Sequence, residues 1–113
     1  MKKILVPTDF SPNAEKALDY AIQLARRSGG EINIVHGVET QKLPESTKDA
    51  ESKMQLLKKS IAEAEAISVH SKIYADSSVN CITTAIHEYK PDLVVMGTLG
   101  SSGVKELIYG SRT

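Results

Sequence analysis

The sequence has no tryptophan, one phenylalanine, one cysteine and no excess of charge of either sign. Each shortage excludes something. A lone cysteine, Cys81, cannot form an intrachain disulfide, so the fold must hold without one, as suits a reducing compartment. Fourteen basic side chains balance fourteen acidic ones, so no bulk field draws the chain to nucleic acid or to an anionic membrane. No apolar run approaches the length that spans a bilayer. Behind Lys2 and Lys3 stand only Ile4, Leu5 and Val6, too few for the apolar region of a secretory signal. His36, His70 and His87 are scattered without cysteine or carboxylate at ligand spacing, so zinc is not expected. A cytoplasmic protein of one domain, residues 1–113, is the expectation.

What is present is an alternation of short apolar runs with amphipathic stretches. Lys3 to Val6 reads as a strand closed by Pro7. Ser11 and Pro12 open a helix as N-cap and first helical residue, and Gly29-Gly30 end it. Its apolar stripe is Ala14, Ala17, Leu18, Ala21, Ile22 and Ala25. Glu31 to Val38 is a second strand. Ser46 to about Ala64 places Ala50, Met54, Leu57 and Ile61 at helical spacing. Ile67 to Tyr74 alternates as a half-wet edge strand should. Asp76-Ser77-Ser78 begins a third helix, whose expected apolar residues are Val79, Ile82, Ala85, Ile86 and Tyr89, with Pro91 beyond its end. Asp92 to Met96 is a fourth, buried strand, and Val104 to Tyr109 is expected as one or two helical turns. The order implies a doubly wound parallel sheet of four strands in three α/β/α layers.

In such sheets ligands bind beyond the carboxyl ends of the strands, where strand order reverses. With the first strand central and flanked by the second and fourth, that point lies between the first and the fourth. The loop Pro7-Thr8-Asp9 then converges with the stretch after the fourth strand. That stretch has the spacing G-x2-G-x9-G-[ST], from Gly97 and Gly100 to Gly110 and Ser111. Glycines let bare backbone N–H groups approach an anion, and Ser101 and Ser111 add hydroxyl donors, so the stretch suits phosphates. It is neither a P-loop nor the G-x-G-x-x-G dinucleotide fingerprint. An ordinary glycine-rich loop is the plain alternative. Asp9 suits ribose hydroxyls or a phosphate-bound metal ion, and otherwise caps the helix that follows. Gly37, at the end of the second strand, exposes backbone that could hydrogen-bond a base. Cys81 has no evident basic partner and reads as a small filler, and Ser101 and Ser102 lack a histidine–acid pair, so hydrolase chemistry is poorly supported.

At these residues the chain resembles a known family. Lys3-Ile4-Leu5-Val6-Pro7-Thr8-Asp9-Phe10-Ser11 looks like the opening of universal stress proteins, and Val95-Met96-Gly97-Thr98-Leu99-Gly100 through Tyr109-Gly110-Ser111 looks like their nucleotide motif. The resemblance implies a Rossmann-like fold and, in the branch that keeps the glycines, binding of ATP with Mg²⁺. Carried over by position, Pro7 and Thr8 would line the adenosine pocket, Asp9 would meet the ribose or phosphate side, and Gly37 would meet adenine through its backbone. Gly97, Gly100, Gly110 and Ser111 would hold the phosphates. The family is typically a homodimer, linked to stress, and at most a sluggish ATP hydrolase. Its members usually continue beyond the Gly-Ser pair through a further helix and a fifth, apolar strand, which the 113 residues do not include. The expectation is therefore a four-stranded domain with an exposed edge at the fourth strand, an altered dimer seam and weakened ATP binding. The alternative is an oligomerising protein-interaction domain that no longer binds nucleotide.

Overall fold

Ile4, Leu5 and Val6 are all fully buried. Three successive strand residues point to alternate faces, so only a strand covered on both faces can bury them all. This strand is the centre of the fold. The computed structural model describes residues 3–38, 44–65, 67–97 and 104–108. Along the chain lie β1 (Lys3–Pro7), α1 (Pro12–Ser28), β2 (Glu31–Gly37), α2 (Pro44–Glu65), β3 (Ser68–Tyr74), α3 (Ser78–Tyr89), β4 (Leu93–Gly97) and β5 (Val104–Ile108). The sheet order is β3-β2-β1-β4-β5. β1 pairs in parallel with β2 on one side and with β4 on the other, and β3 pairs in parallel with β2. Strand order therefore reverses between β1 and β4, as the alternation of elements implied.

The two faces carry separate cores. On one, Ile4, Val6, Ile32, Ile34, Leu93 and Val95 pack under Ala17, Leu18, Ala21, Ile22 and Ala25 of α1 and under Met54 and Ile61 of α2. On the other, Leu5, Val35 and Val94 meet Cys81 and Ala85 of α3, with Ile86 and Tyr89 partly buried beside them. This is the three-layer arrangement expected of the chain.

Capping fixes where the helices begin. Ser11 accepts a hydrogen bond from the Ala14 N–H at 3.2 Å, and Ser77 accepts one from Asn80 at 3.2 Å. At the far end of α1, Gly29 takes the left-handed conformation at φ 70°.

Two expectations are corrected. Val104–Ile108 is not helical: it forms β5, antiparallel to β4, with Gly97 opposite Val104 and Leu93 opposite Ile108. Fewer than two turns of helix are marginal alone, whereas the outer edge of β4 offers a row of N–H and C=O groups that need partners. The apolar edge of β4 is thus covered by a fifth strand instead of standing open. In α3, Val79 is exposed and Cys81 takes the buried position in its place. Val79 lies in the first turn, and the core-facing residues begin only at Cys81.

Candidate functional site

β1 delivers Pro7 to the carboxyl edge of the sheet, and the chain must then turn into α1. Backbone and side chains fix that turn together. The Thr8 N–H donates to the Val35 carbonyl at 2.9 Å, tying the loop to β2. The Thr8 hydroxyl oxygen accepts from the Phe10 N–H at 3.0 Å, and the Asp9 carboxylate accepts from the Ser11 N–H at 2.9 Å. Such short-range bonds are how Asp and Thr build turns. The Ser11 hydroxyl foremost, and to a lesser extent its backbone N–H, hold the Asp9 carboxyl below the usual carboxylate range, against an opposing effect of partial burial that ranks between the two. Asp9 is therefore an anion at neutral pH, and it also shapes its own loop.

The turn borders a cleft of about 440 Å³ at the strand switch point. Pro7 lines it from the end of β1, Thr8 and Asp9 from the loop that follows, Gly37 from the end of β2 and Gly97 from the end of β4. Five of the residues singled out from sequence are thus brought into one cleft. Gly100, Ser101, Gly110 and Ser111 lie outside the described residues. The remaining wall comes from the start of α1 (Ser11 to Ala14), from Val35 and His36 of β2, from Cys81 and Ile82 of α3, and from Met96. None of these was expected from sequence as part of the site. Their placement depends on which helix end abuts which strand end. Only the N-cap signals of Ser11 and Ser77 foreshadow it.

The two glycines serve close packing. A Cβ on Gly97 would come within 2.8 Å of the Asn13 carbonyl group, and one on Gly37 within 2.8 Å of the Asp76 carbonyl oxygen. Each glycine lets the N-terminal end of a helix press against the end of a strand, α1 at Gly97 and α3 at Gly37.

His36 belongs to the site as well. Its Nδ1 lies 2.6 Å from the Thr8 carbonyl oxygen, and its ring lies 4.7 Å from that of Phe10. Burial, then the Asp76 carboxylate, push the Cys81 thiol up to about 11, which removes it as a nucleophile at neutral pH. Asp9 is the one carboxylate among the described lining residues. A phosphate-bound Mg²⁺ commonly needs just one or two carboxylates, so Asp9 is compatible with such an ion. Among the described residues no cluster of three His, Cys, Asp or Glu side chains is placed to hold a metal by itself. No helix among them is long and apolar enough to cross a membrane.

Over its whole length, residues 1–113, the sequence matches the universal stress protein family. The chain belongs to that family. Universal stress protein MJ0531 from Methanocaldococcus jannaschii is 27% identical over 126 residues, an alignment covering 97% of this chain and 72% of that protein. A solved universal stress protein from Archaeoglobus fulgidus superposes with a TM-score of 0.76 at 24% identity, over 98% of this chain and 86% of the other. Another universal stress protein, solved in complex with cAMP, gives a TM-score of 0.67 at 22% identity, over 89% and 79% of the two chains. These structures share the universal stress protein fold with this chain.

Proposed function

We propose that this universal stress protein binds an adenine nucleotide, ATP with Mg²⁺ in the first instance, in the switch-point cleft. It would act there as a non-catalytic or very slowly hydrolysing stress-response module. The observation that carries this reading is the meeting of Thr8 and Asp9, after β1, with Gly97, where the glycine-rich stretch of the sequence begins. A cleft of about 440 Å³ is within the ordinary range for small-molecule sites. Ile82 and Met96 supply apolar wall for a flat base. The ionised Asp9 suits ribose hydroxyls or a metal ion on the phosphates. Gly100, Ser101, Gly110 and Ser111 are the proposed phosphate donors, by backbone N–H and by hydroxyl. A relative of the same fold was solved with cAMP, itself an adenine nucleotide.

The described lining favours slow chemistry at most. Its carboxylate is already engaged by Ser11, its thiol is protonated, and it holds no arginine among the described residues. A single domain assembling as a cytoplasmic homodimer completes the reading, in keeping with the family resemblance.

Calorimetric titration of ATP with Mg²⁺ tests it. Saturable binding by the wild type, lost in Gly100→Val and weakened in Asp9→Ala, is the expected result. Absence of binding by the wild type would overturn the reading and favour a protein-interaction domain. Phosphate release under excess ATP separates a slow hydrolase from a pure binder.

A further inference from the structure

The loop that carries Asp9 has an unusual backbone. Phe10 has φ 62°, and Lys90 is the other described residue besides glycine with a positive φ. Lys90 caps the end of α3, where the left-handed conformation is common. Phe10 has no such context. A bulky side chain is disfavoured in that region and persists there only where its surroundings over-determine it.

Those surroundings converge on His36. The Phe10 N–H is taken up by the Thr8 hydroxyl oxygen at 3.0 Å, and the Lys53 ammonium lies 5.7 Å from the centre of the Phe10 ring. The His36 ring lies against the Phe10 ring, tilted by 52°. The same imidazole reaches the Thr8 carbonyl oxygen from Nδ1 at 2.6 Å. One side chain of β2 thus grips the loop on either side of Asp9, by a hydrogen bond before it and by ring packing after it. A carbonyl oxygen can only accept, so Nδ1 must carry the proton, and a neutral His36 is then the Nδ1–H tautomer with Nε2 left as an acceptor.

We propose that His36, donating from Nδ1–H to the Thr8 carbonyl and packed on Phe10, is the positioning residue that holds the Thr8–Ser11 loop with Asp9 at the cleft. Its bearing on nucleotide affinity rests on the reading of the cleft given above. A purely space-filling imidazole would make different demands. It would be replaced best by an apolar side chain of similar size, and worst by a shorter polar one. A positioning donor reverses that order. Asn places an N–H close to where Nδ1 stood, whereas Leu fills space and donates nothing.

The test has two arms on the whole chain. In the first, without nucleotide, long-range ¹H–¹⁵N spectra of the neutral wild type should show the Nδ1–H tautomer at His36. The backbone amides of Asp9, Phe10 and Ser11 should move less in His36→Asn, which keeps the donor and loses the ring, than in His36→Leu, which loses both, with thermal melting confirming that both are folded. An Nε2–H tautomer, or loop amides unmoved by His36→Leu, would overturn the proposal. Should His36→Leu fail to fold, the tautomer and the Asn variant still decide. In the second arm, ATP affinity should fall about tenfold in His36→Leu and stay within about threefold of wild type in His36→Asn. Equal affinity in all three proteins would overturn the positioning role. A wild type that binds no ATP but passes the first arm would overturn the nucleotide reading and leave the positioning of the loop standing.

Discussion

A Cβ placed on Gly97 would stand 2.8 Å from the carbonyl oxygen of Asn13 and 2.9 Å from the Ala14 nitrogen. These are backbone atoms of the first turn of α1 and have little room to yield. Gly97→Ala is therefore expected to destabilise the fold by about 1–3 kcal/mol, because the helix must lift from the end of β4. Gly29→Ala is the control. A Cβ there meets nothing within 4 Å, but φ is 70°, so only backbone strain of about 1 kcal/mol is expected. Urea unfolding measures both. Gly97→Ala should also weaken any ligand of the cleft, which Gly29→Ala should not. Equal effects on stability and ligand affinity would show that the close approach at Gly97 has no consequence.

Ser11 serves two neighbours at once. Its hydroxyl oxygen accepts from the Ala14 N–H at 3.2 Å, and Ser11 supplies the hydrogen bonds that depress the Asp9 pKa. Ser11→Ala should cost about 1 kcal/mol through the lost cap. It should also return Asp9 toward its ordinary value of 3.8. The sign follows from linkage: a carboxyl whose folded pKa is depressed contributes stability above its unfolded pKa and loses it as pH falls through the folded one. Wild type should thus lose this contribution below about pH 4, and Ser11→Ala should show less of that loss. Carboxyl-detected NMR titration of Asp9, with melting at neutral and acid pH, is the measurement. An Asp9 pKa unchanged in Ser11→Ala would exclude the linkage.

Much of the site could be read from residue order alone. The N-cap pair Ser11-Pro12, the buried runs around Leu5 and Val94, and the glycines after Met96 fix where β1 and β4 end, and the alternation of elements sets them side by side. What could not be read depends on three-dimensional competition. Val104–Ile108 contains good helix formers, yet it pairs with β4 because that edge lies within reach. In the sequence Gly37 and Gly97 read as openings toward a ligand, whereas in the fold their missing side chains also make room for helix ends. In the sequence His36 is only one of three scattered histidines. Its role depends on a loop 28 residues away in sequence folding back beside β2.

Tyr74 should titrate late. Burial foremost, then the hydrogen bond its hydroxyl donates to Glu88, raise it well above the ordinary 10. Tyr89 is raised as well, chiefly by burial. Because the folded pKa lies above the unfolded one, the stabilising contribution is complete below about pH 10 and is lost as pH climbs through the folded value. Ultraviolet titration should find Tyr74 and Tyr89 ionising above the ordinary value of 10. In Tyr74→Phe the latest of these should vanish. Four tyrosines ionising together near 10 in the folded protein would refute the burial of this edge.

Cys81 offers a chemical probe of the cleft. It is 2% exposed, packs beneath Gly37, and lines the cleft together with Ile82. Its thiol is pushed up to about 11, by burial first and by the Asp76 carboxylate second. At neutral pH roughly one thiol in ten thousand is then ionised, and it is the thiolate that reacts with alkylating reagents. Iodoacetamide should therefore modify the native protein slowly and the urea-unfolded protein quickly. Asp76→Asn removes the second cause and should lower the pKa, so that reaction in the folded state becomes faster. A saturating ligand in the cleft should slow the reaction of wild type, by covering the cleft or by suppressing the opening that exposes it. The dependence of the rate on ligand concentration separates global from local opening. If modification requires global unfolding, its rate should fall with ligand in the same proportion as the unfolded fraction measured by melting. If it requires only local opening of the α3 end, it should run faster than global unfolding allows. Native and unfolded protein reacting at one rate would mean that Cys81 is not enclosed between its own helix and the sheet.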